Sequence, residues 1–308
     1  MKKEEYAARP AQLRWLLEGD PAIRWQVMRD LMDEAPAAIA AERARVAKEG
    51  WGAKLLGKQS AAGKWGGKDR GLLVTLWSLV ALKDLGLEPK SAAARKMIAR
   101  VKRLRFVWHE SEPFFEGETE PCINGRILGM GAYFDEPNEA LAKRLLREQL
   151  DDGGWNCEAP KSRRSSFHTT ICVLEGLWEY ERAAGKPAEV TRARRRAEEY
   201  LLERRLFRRL RTGEVIQKRW LRIAYPPVWH YDVLRGLDYF WSVGGKPDAR
   251  LKEAIEVVKA RRHQNGKWPL TLHPEKIPVK METEVGRASR WNMLRALRVL
   301  RWYGESGG

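Results

Sequence analysis

Cysteine is scarce in this chain: three residues in 308, too few and too odd in number for a disulfide framework. Long apolar runs are missing too. None reaches the roughly 18 residues a membrane-crossing helix needs, and the opening stretch MKKEEYAARPAQLRWLL has no apolar signal core. The expected location is therefore the cytoplasm. Strand-like alternation is nearly absent. Acidic residues fall short of basic ones, 41 against 58, for a net charge of +17. Such an excess invites a nucleic-acid reading, yet no helix-turn-helix, zinc-finger spacing or RNP-type aromatic motif accompanies it. What the chain has in quantity is apolar mass, 44% hydrophobic residues with 14 tryptophans, ample for a buried core.

Much of the positive charge lies in one run, Arg192, Arg194, Arg195, Arg196, Arg204, Arg205, Arg208, Arg209 and Arg211, interleaved with Glu198, Glu199 and Glu203. That is the pattern of a solvated helix face carrying i,i+4 ion pairs. The other reading is a surface for a polyanion or for peripheral contact with an anionic membrane.

A short string recurs: Gln59-x-x-x-Gly63-x-Trp65, then Gln149-x-x-x-Gly153-x-Trp155, then Gly266-x-Trp268 with Arg262 in the glutamine position. Repeats at this spacing signal stacked helical pairs. A glutamine at a helix end satisfies backbone groups left open there. Glycine allows the left-handed residue that stops a helix, and tryptophan covers the neighbouring repeat. Between these turns six segments share a polar residue followed by apolar residues at +4 and +7. They are Arg24/Met28/Leu31, Thr75/Leu79/Leu82, Asn124/Leu128/Gly131, Thr170/Leu174/Leu177, His230/Leu234/Leu237 and Arg290/Leu294/Leu297. Each predicts an apolar helix, and most are followed by a turn and a more charged helix.

The Q-x-x-x-G-x-W string, together with segments such as Ser165-Ser166-Phe167-His168-Thr169-Thr170, resembles the repeats of the squalene cyclase and protein-prenyltransferase β-subunit superfamily. The resemblance spans nearly the whole chain. It implies an all-α fold, an (α/α)6 toroid of inner and outer helices, and one domain over residues 1–308 with about six helical pairs. The cyclases protonate an alkene with a D-x-D-D motif, which this sequence lacks; Asp151-Asp152 belongs to a turn.

The prenyltransferases hold zinc by Asp-x-Cys and a later His. The corresponding residues here are Glu120-Pro121-Cys122 and His168, with Glu in place of Asp. Cys122 and His168 share a column six residues before the anchor leucine, at the starts of neighbouring helices. With His230 and Asp232 they make a possible zinc set, cysteine, imidazole and carboxylate being competent ligands. Without metal, His230 and Asp232 read as an acid/base pair beside Tyr231, His230 oriented by Asp232, with Trp229 as a ligand contact. The alternatives are a core cysteine at 122 and a capping His168.

Arg24 and Arg290 share another column on the first and last apolar helices, with Asn124 and Arg126 on the third. They would suit an anionic head, unless they pair with acids such as Asp30 or Glu284. Trp77, Tyr133, Phe134, Trp178, Tyr180, Tyr239, Phe240 and Trp241 are candidates for the floor of an apolar cavity, or for packing between helices. The functional expectation is a small hydrophobic, isoprenoid-like ligand with an anionic head. The competing class is a non-enzymatic scaffold whose basic surface binds an acidic protein, nucleic acid or membrane.

Overall fold

Asp20, Ser91, Asn138, Ser166 and Asp232 each stand just before a helix and accept a hydrogen bond from a backbone N–H of its first turn. Short polar side chains at this position satisfy donors the helix itself cannot. Pro10, Pro21, Pro36 and Pro121 stand at or next to the first helical position, where a missing N–H costs nothing.

The computed structural model describes residues 8–66, 71–106, 112–271, 277–282 and 284–305; residues 1–7 of the opening stretch lie outside them. The first half contains α1 (Pro10–Leu17), α2 (Pro21–Asp30), α3 (Pro36–Ala44), α4 (Gly50–Gly57), α5 (Gly71–Leu85) and α6 (Ala92–Val101). Then come α7 (Pro121–Tyr133), α8 (Glu139–Arg147), α9 (Phe167–Ala183), α10 (Ala188–Glu203), α11 (Val233–Val243), α12 (Lys252–Ala260) and α13 (Arg290–Glu305). Among the described residues, extended pairing is limited to three isolated bridges. The protein is all-α, consistent with the α/α toroid that the repeats imply. No described helix is long and apolar enough to cross a membrane.

The six apolar segments are α2, α5, α7, α9, α11 and α13. One boundary differs from the expectation: α11 begins at Val233, so His230 precedes the helix. Burial separates the two helix classes. All of α7 from Pro121 to Ala132 is buried, whereas α8 buries Leu141, Ala142 and Leu145, and α3 buries none.

The described residues form two compact units, Lys54–Leu201 and the discontinuous Met1–Ala53 with Leu202–Gly308. In the first, α7 and α9 come together through glycines. A Cβ on Gly125 would lie 2.6 Å from Val173 Cα, so only glycine lets the backbones approach this closely. The recurring turn string works as a clamp. Gln149 Nε2 donates to the carbonyls of Gly153 (2.7 Å) and of Ala193 on α10 (2.8 Å), and Gln59 does the same to Gly63 and Met97. Trp155 Nε1 donates to Leu145 O at 2.7 Å, and Trp65 to Leu55 O at 2.7 Å. Both indoles are fully buried, each worth about 4–6 kcal/mol of apolar burial. The backbone N–H of each tryptophan also donates to a threonine hydroxyl of the following apolar helix, Thr170 and Thr75. Asp152 receives hydrogen bonds from the backbone N–H and the hydroxyl of Ser165, which makes it part of the turn.

In the second unit α13 lies against α2 and α11. Trp268 Nε1 donates to Val258 O at 2.7 Å, repeating the clamp. Its glutamine comes from elsewhere: Gln12 on α1 donates to Gly266 O at 2.5 Å, doing the work that Arg262 at the equivalent position does not.

Candidate functional site

In the unit of residues 54–201, Pro121 starts α7 and places Cys122 in its first turn. Asn124 is buried and binds the preceding loop at both ends, accepting from Glu118 N (2.7 Å) and donating to Glu118 O (2.8 Å). Expected from sequence as a ligand contact, it instead shapes the turn that carries Glu120. Cys122 points at Glu120, with Sγ 3.5 Å from Oε2. The third member of the group is Cys157, from the loop that follows Trp155. The ligand atoms of Glu120, Cys122 and Cys157 all lie within 4.8 Å of one another. Cys157 also contacts the hydroxyl of Thr169 at 3.3 Å.

The two thiols are electrostatically unlike. A hydrogen bond from Cys122 draws the Cys157 thiol down to about 7, burial opposes this, and Thr169 helps. Cys122 is pushed up, by the same hydrogen bond and by burial. The loop is held in place by its own contacts: Asn156 donates to Arg164 O (2.7 Å), Ser166 N to Trp155 O (2.8 Å), and Tyr200 to Ser165 O (2.8 Å).

This corrects the metal set read from sequence. The group that converges is Glu120, Cys122 and Cys157, and His168, half-buried in the first turn of α9, is not in it. His230 and Asp232 belong to the other compact unit. Cys157 was missed because it lies between repeats, outside the columns that relate the helices.

Arg126 is also placed differently from the expectation. It is buried and ion-paired with Glu175 across the α7–α9 contact. Nearby, Lys83 binds Glu179 at 3.0 Å. Burial pulls the ammonium pKa down, but Glu179, Asp84 and Glu175 push harder and raise it.

In the other unit, Asp232 caps α11. Its oxygens accept from Arg235 N (2.9 Å) and Ala224 N (3.3 Å). Burial raises its pKa although Arg295 opposes. Tyr231 is buried and donates to Leu206 O at 2.7 Å. His230 stacks on Trp229 at 3.9 Å between centroids, and its carbonyl accepts from Arg235 Nη1 at 2.6 Å. Asp232 and Tyr231, read from sequence as reactive groups, are thus engaged in holding the start of α11.

Arg24 and Arg290 both approach Gly19. Arg24 Nη1 donates to Gly19 O at 2.6 Å, and a Cβ on Gly19 would strike Arg290 Cδ at 2.7 Å. Arg24 pairs with Glu42 at 2.6 Å. Arg290 Nε donates to Trp15 O at 2.9 Å and its guanidinium lies 4.4 Å from the Trp15 ring centroid. Lys267 approaches the same ring, 4.1 Å from its centroid. Both arginines keep access to solvent, with 22% and 29% of the side chain exposed. Each arginine has an acidic neighbour, as the alternative reading had it, though not Asp30 or Glu284: Arg24 pairs with Glu42 and Arg290 lies 3.9 Å from Glu18, while Asp30 pairs with Arg29 and Glu284 with Arg287.

Beside Arg290 the ring of Trp291 packs on Tyr225 (4.6 Å) and Trp51 (6.4 Å). The Trp291 Nε1 and Asn292 Oδ1 atoms are buried and have no hydrogen-bond partner among the described residues. The rings proposed for a cavity floor engage neighbours: Tyr133 donates to Leu87 O (2.8 Å), Trp178 lies under Arg194 (5.0 Å), and Trp241 under Arg298 (4.2 Å).

A buried network went unread in the sequence. Asp238 on α11 binds Arg298 (2.6 Å) and Arg295 (3.2 Å) of α13, and Arg298 reaches Gln26 of α2 at 3.0 Å. Arginines three apart on an otherwise apolar helix were the available signal, since buried cations demand counter-charges.

Comparison with solved structures finds the type II terpene cyclase MstE from Scytonema, at 16% identity over 99% of this chain and 99% of that chain, with a TM-score of 0.47. A variant of that cyclase with its substrate geranylgeranyl dihydroxybenzoate aligns at 15% identity over 93% of this chain and 87% of that chain, TM-score 0.45. A further variant with its product merosterolic acid A aligns at 14% identity over 96% and 97%, TM-score 0.42. The likeness is one of helical fold. No family model and no curated protein matches the chain.

Proposed function

We propose that the chain binds a small hydrophobic, isoprenoid-like molecule whose anionic head is held by Arg24 and Arg290. Geranylgeranyl dihydroxybenzoate, the substrate of the cyclase found by comparison, belongs to that chemical class, but the support comes from this chain's own geometry. The observation that carries the reading is the convergence of two part-exposed guanidinium groups on Gly19. The Trp291, Tyr225 and Trp51 rings beside them are an apolar wall, and Trp291 Nε1 and Asn292 Oδ1 are a donor and an acceptor that a bound polar group would satisfy. Asp232 and Tyr231 take positioning roles under this reading.

The test is a tryptophan-fluorescence titration with farnesyl diphosphate and with uncharged farnesol. The diphosphate should bind and the alcohol should bind much more weakly. Arg290→Ala should weaken the diphosphate by about tenfold to a hundredfold, the worth of one or two charge-assisted hydrogen bonds. Equal binding of both probes, or of wild type and Arg290→Ala, would remove the anion site.

A second reading has one observation in its favour. Residues Arg208 and Val215 pair across a tight hairpin whose tip exposes Leu210 (60%) between Arg209 and Arg211. A basic, apolar-tipped hairpin suits a polyanionic surface.

A further inference from the structure

We propose that Cys157 and Cys122 form a dithiol site that reacts with hydroperoxides, Cys157 as the attacking sulfur and Cys122 as the partner that closes a disulfide with it. The site lies in residues 54–201 and is independent of the arginine pair, so either proposal stands if the other falls.

Placement is the first argument. The chain has three cysteines, all free, and two of them meet. Cys122 comes from the first turn of α7 and Cys157 from the loop after Trp155, yet their sulfurs lie within 4.8 Å of each other. A disulfide needs about 2.05 Å between sulfurs, so the two must approach by less than about 3 Å. Rotation of the two side chains moves a sulfur on that scale.

Exposure is the second argument, because it divides the roles. Cys157 is half-buried, whereas Cys122 is 8% exposed. A small oxidant therefore reaches Cys157 first, and Cys122 is sheltered until Cys157 presents it with an oxidised sulfur. Cys172, on α9, is fully buried and takes no part.

The polar groups around the pair fit these roles. The Thr169 hydroxyl meets the Cys157 sulfur at 3.3 Å and holds it beside the start of α9. Cys122 Sγ is 3.5 Å from Oε2 of the exposed Glu120, whose backbone N–H donates to Glu118 at 2.9 Å. The Glu120 carboxylate is thus placed to take the proton that Cys122 loses when its sulfur becomes the nucleophile.

With hydrogen peroxide the chemistry runs in two steps. The Cys157 sulfur attacks one peroxide oxygen: an S–O bond forms, the O–O bond breaks, and the thiol proton leaves with the released hydroxide as water. The Cys122 sulfur then attacks the sulfenic sulfur of Cys157. The S–O bond breaks as the S–S bond forms, and the Cys122 proton, passed through Glu120, joins the departing hydroxide as a second water. Two thiols are oxidised to one disulfide by two electrons, and the peroxide is reduced to two waters.

The experiment treats the full chain, reduced and kept in a chelator, with about one equivalent of hydrogen peroxide and maps its cysteines by peptide mass spectrometry. The Cys122 and Cys157 thiols should be lost together, their cross-linked peptide should appear, and Cys172 should stay reduced. Dithiothreitol should restore both thiols. Cys157→Ser should slow the oxidation of Cys122 by about tenfold or more, with the helical circular dichroism retained. Because Cys122 is buried and its variant risks misfolding, Glu120→Gln is the second variant. It should slow disulfide closure by about tenfold and raise the fraction of Cys157 that dimedone traps as sulfenic acid. A linkage to Cys172 or between two chains, Cys157 oxidised no faster than Cys172, or Cys122 lost at the wild-type rate in Cys157→Ser would each overturn the site. Closure at the wild-type rate in Glu120→Gln would overturn the proton route through Glu120.

Discussion

Asp238 is a residue to which the sequence drew no attention. It joins α11 to two arginines of α13 in a buried setting, where removing one partner leaves uncompensated charge. Asp238→Ala should destabilise the protein by about 3 kcal/mol, read as a lowered urea midpoint at neutral pH. The pH dependence has a definite sign. Burial alone would raise the Asp238 pKa, but Arg298 and Arg295 outweigh it and hold the carboxyl below its usual range. Its stabilising contribution is therefore complete above the unfolded value of about 3.9 and is lost as pH falls through the lower folded value. The wild-type and Asp238→Ala midpoints should converge in acid below about pH 4; a constant difference down to pH 2 would show that the ion pairs are not its source.

Single helices were the most legible level, because a helix is announced locally. The proline and Asp, Asn or Ser starts, the +4/+7 apolar pattern and the turn string are all written within about two turns of chain, and α2, α5, α7, α9 and α13 lie where those signals put them. Less legible was what closes the third turn. Gln12 reaches Gly266 across 254 residues, and no periodicity reveals that. Gln12→Ala should cost about 1–3 kcal/mol by leaving that carbonyl unsatisfied. Adding Arg262→Gln should recover much of the loss, since Gln149 and Gln59 bind the glycine four residues on. Thermal melts of the single and double variants decide it, and a double variant no more stable than Gln12→Ala would break the equivalence of the three turns.

At the scale of the whole molecule, the charge of +17 is not one undifferentiated surface. Arg194, within the run read as solvated, is buried against Glu181 at 2.7 Å, and Arg196 hydrogen-bonds the carbonyls of Leu150 and Asp151. Arg205 and Arg208 share Glu253. Arg209, Arg211, Lys218, Arg219 and Arg222 remain exposed in the segment that follows α10. Reversing Arg209 and Arg211 to Glu should therefore lower retention on a heparin column while leaving farnesyl diphosphate binding at Arg24 and Arg290 unchanged. A parallel loss of diphosphate binding would mean that the two basic regions act as one site.

Sequence alone determined where the helices start and stop, which of them are apolar, and that glycine and tryptophan turns join them, because capping, periodicity and left-handed residues act between near neighbours in the chain. Tertiary structure decided which partner each reactive or charged side chain meets: Cys122 with Cys157 in place of His168, Arg126 with Glu175, Asp232 with the amides that open α11. Those choices follow from how helices pack at separations of tens to hundreds of residues, where a side chain's environment is set by the neighbouring helix and loop rather than by its own place in the repeat.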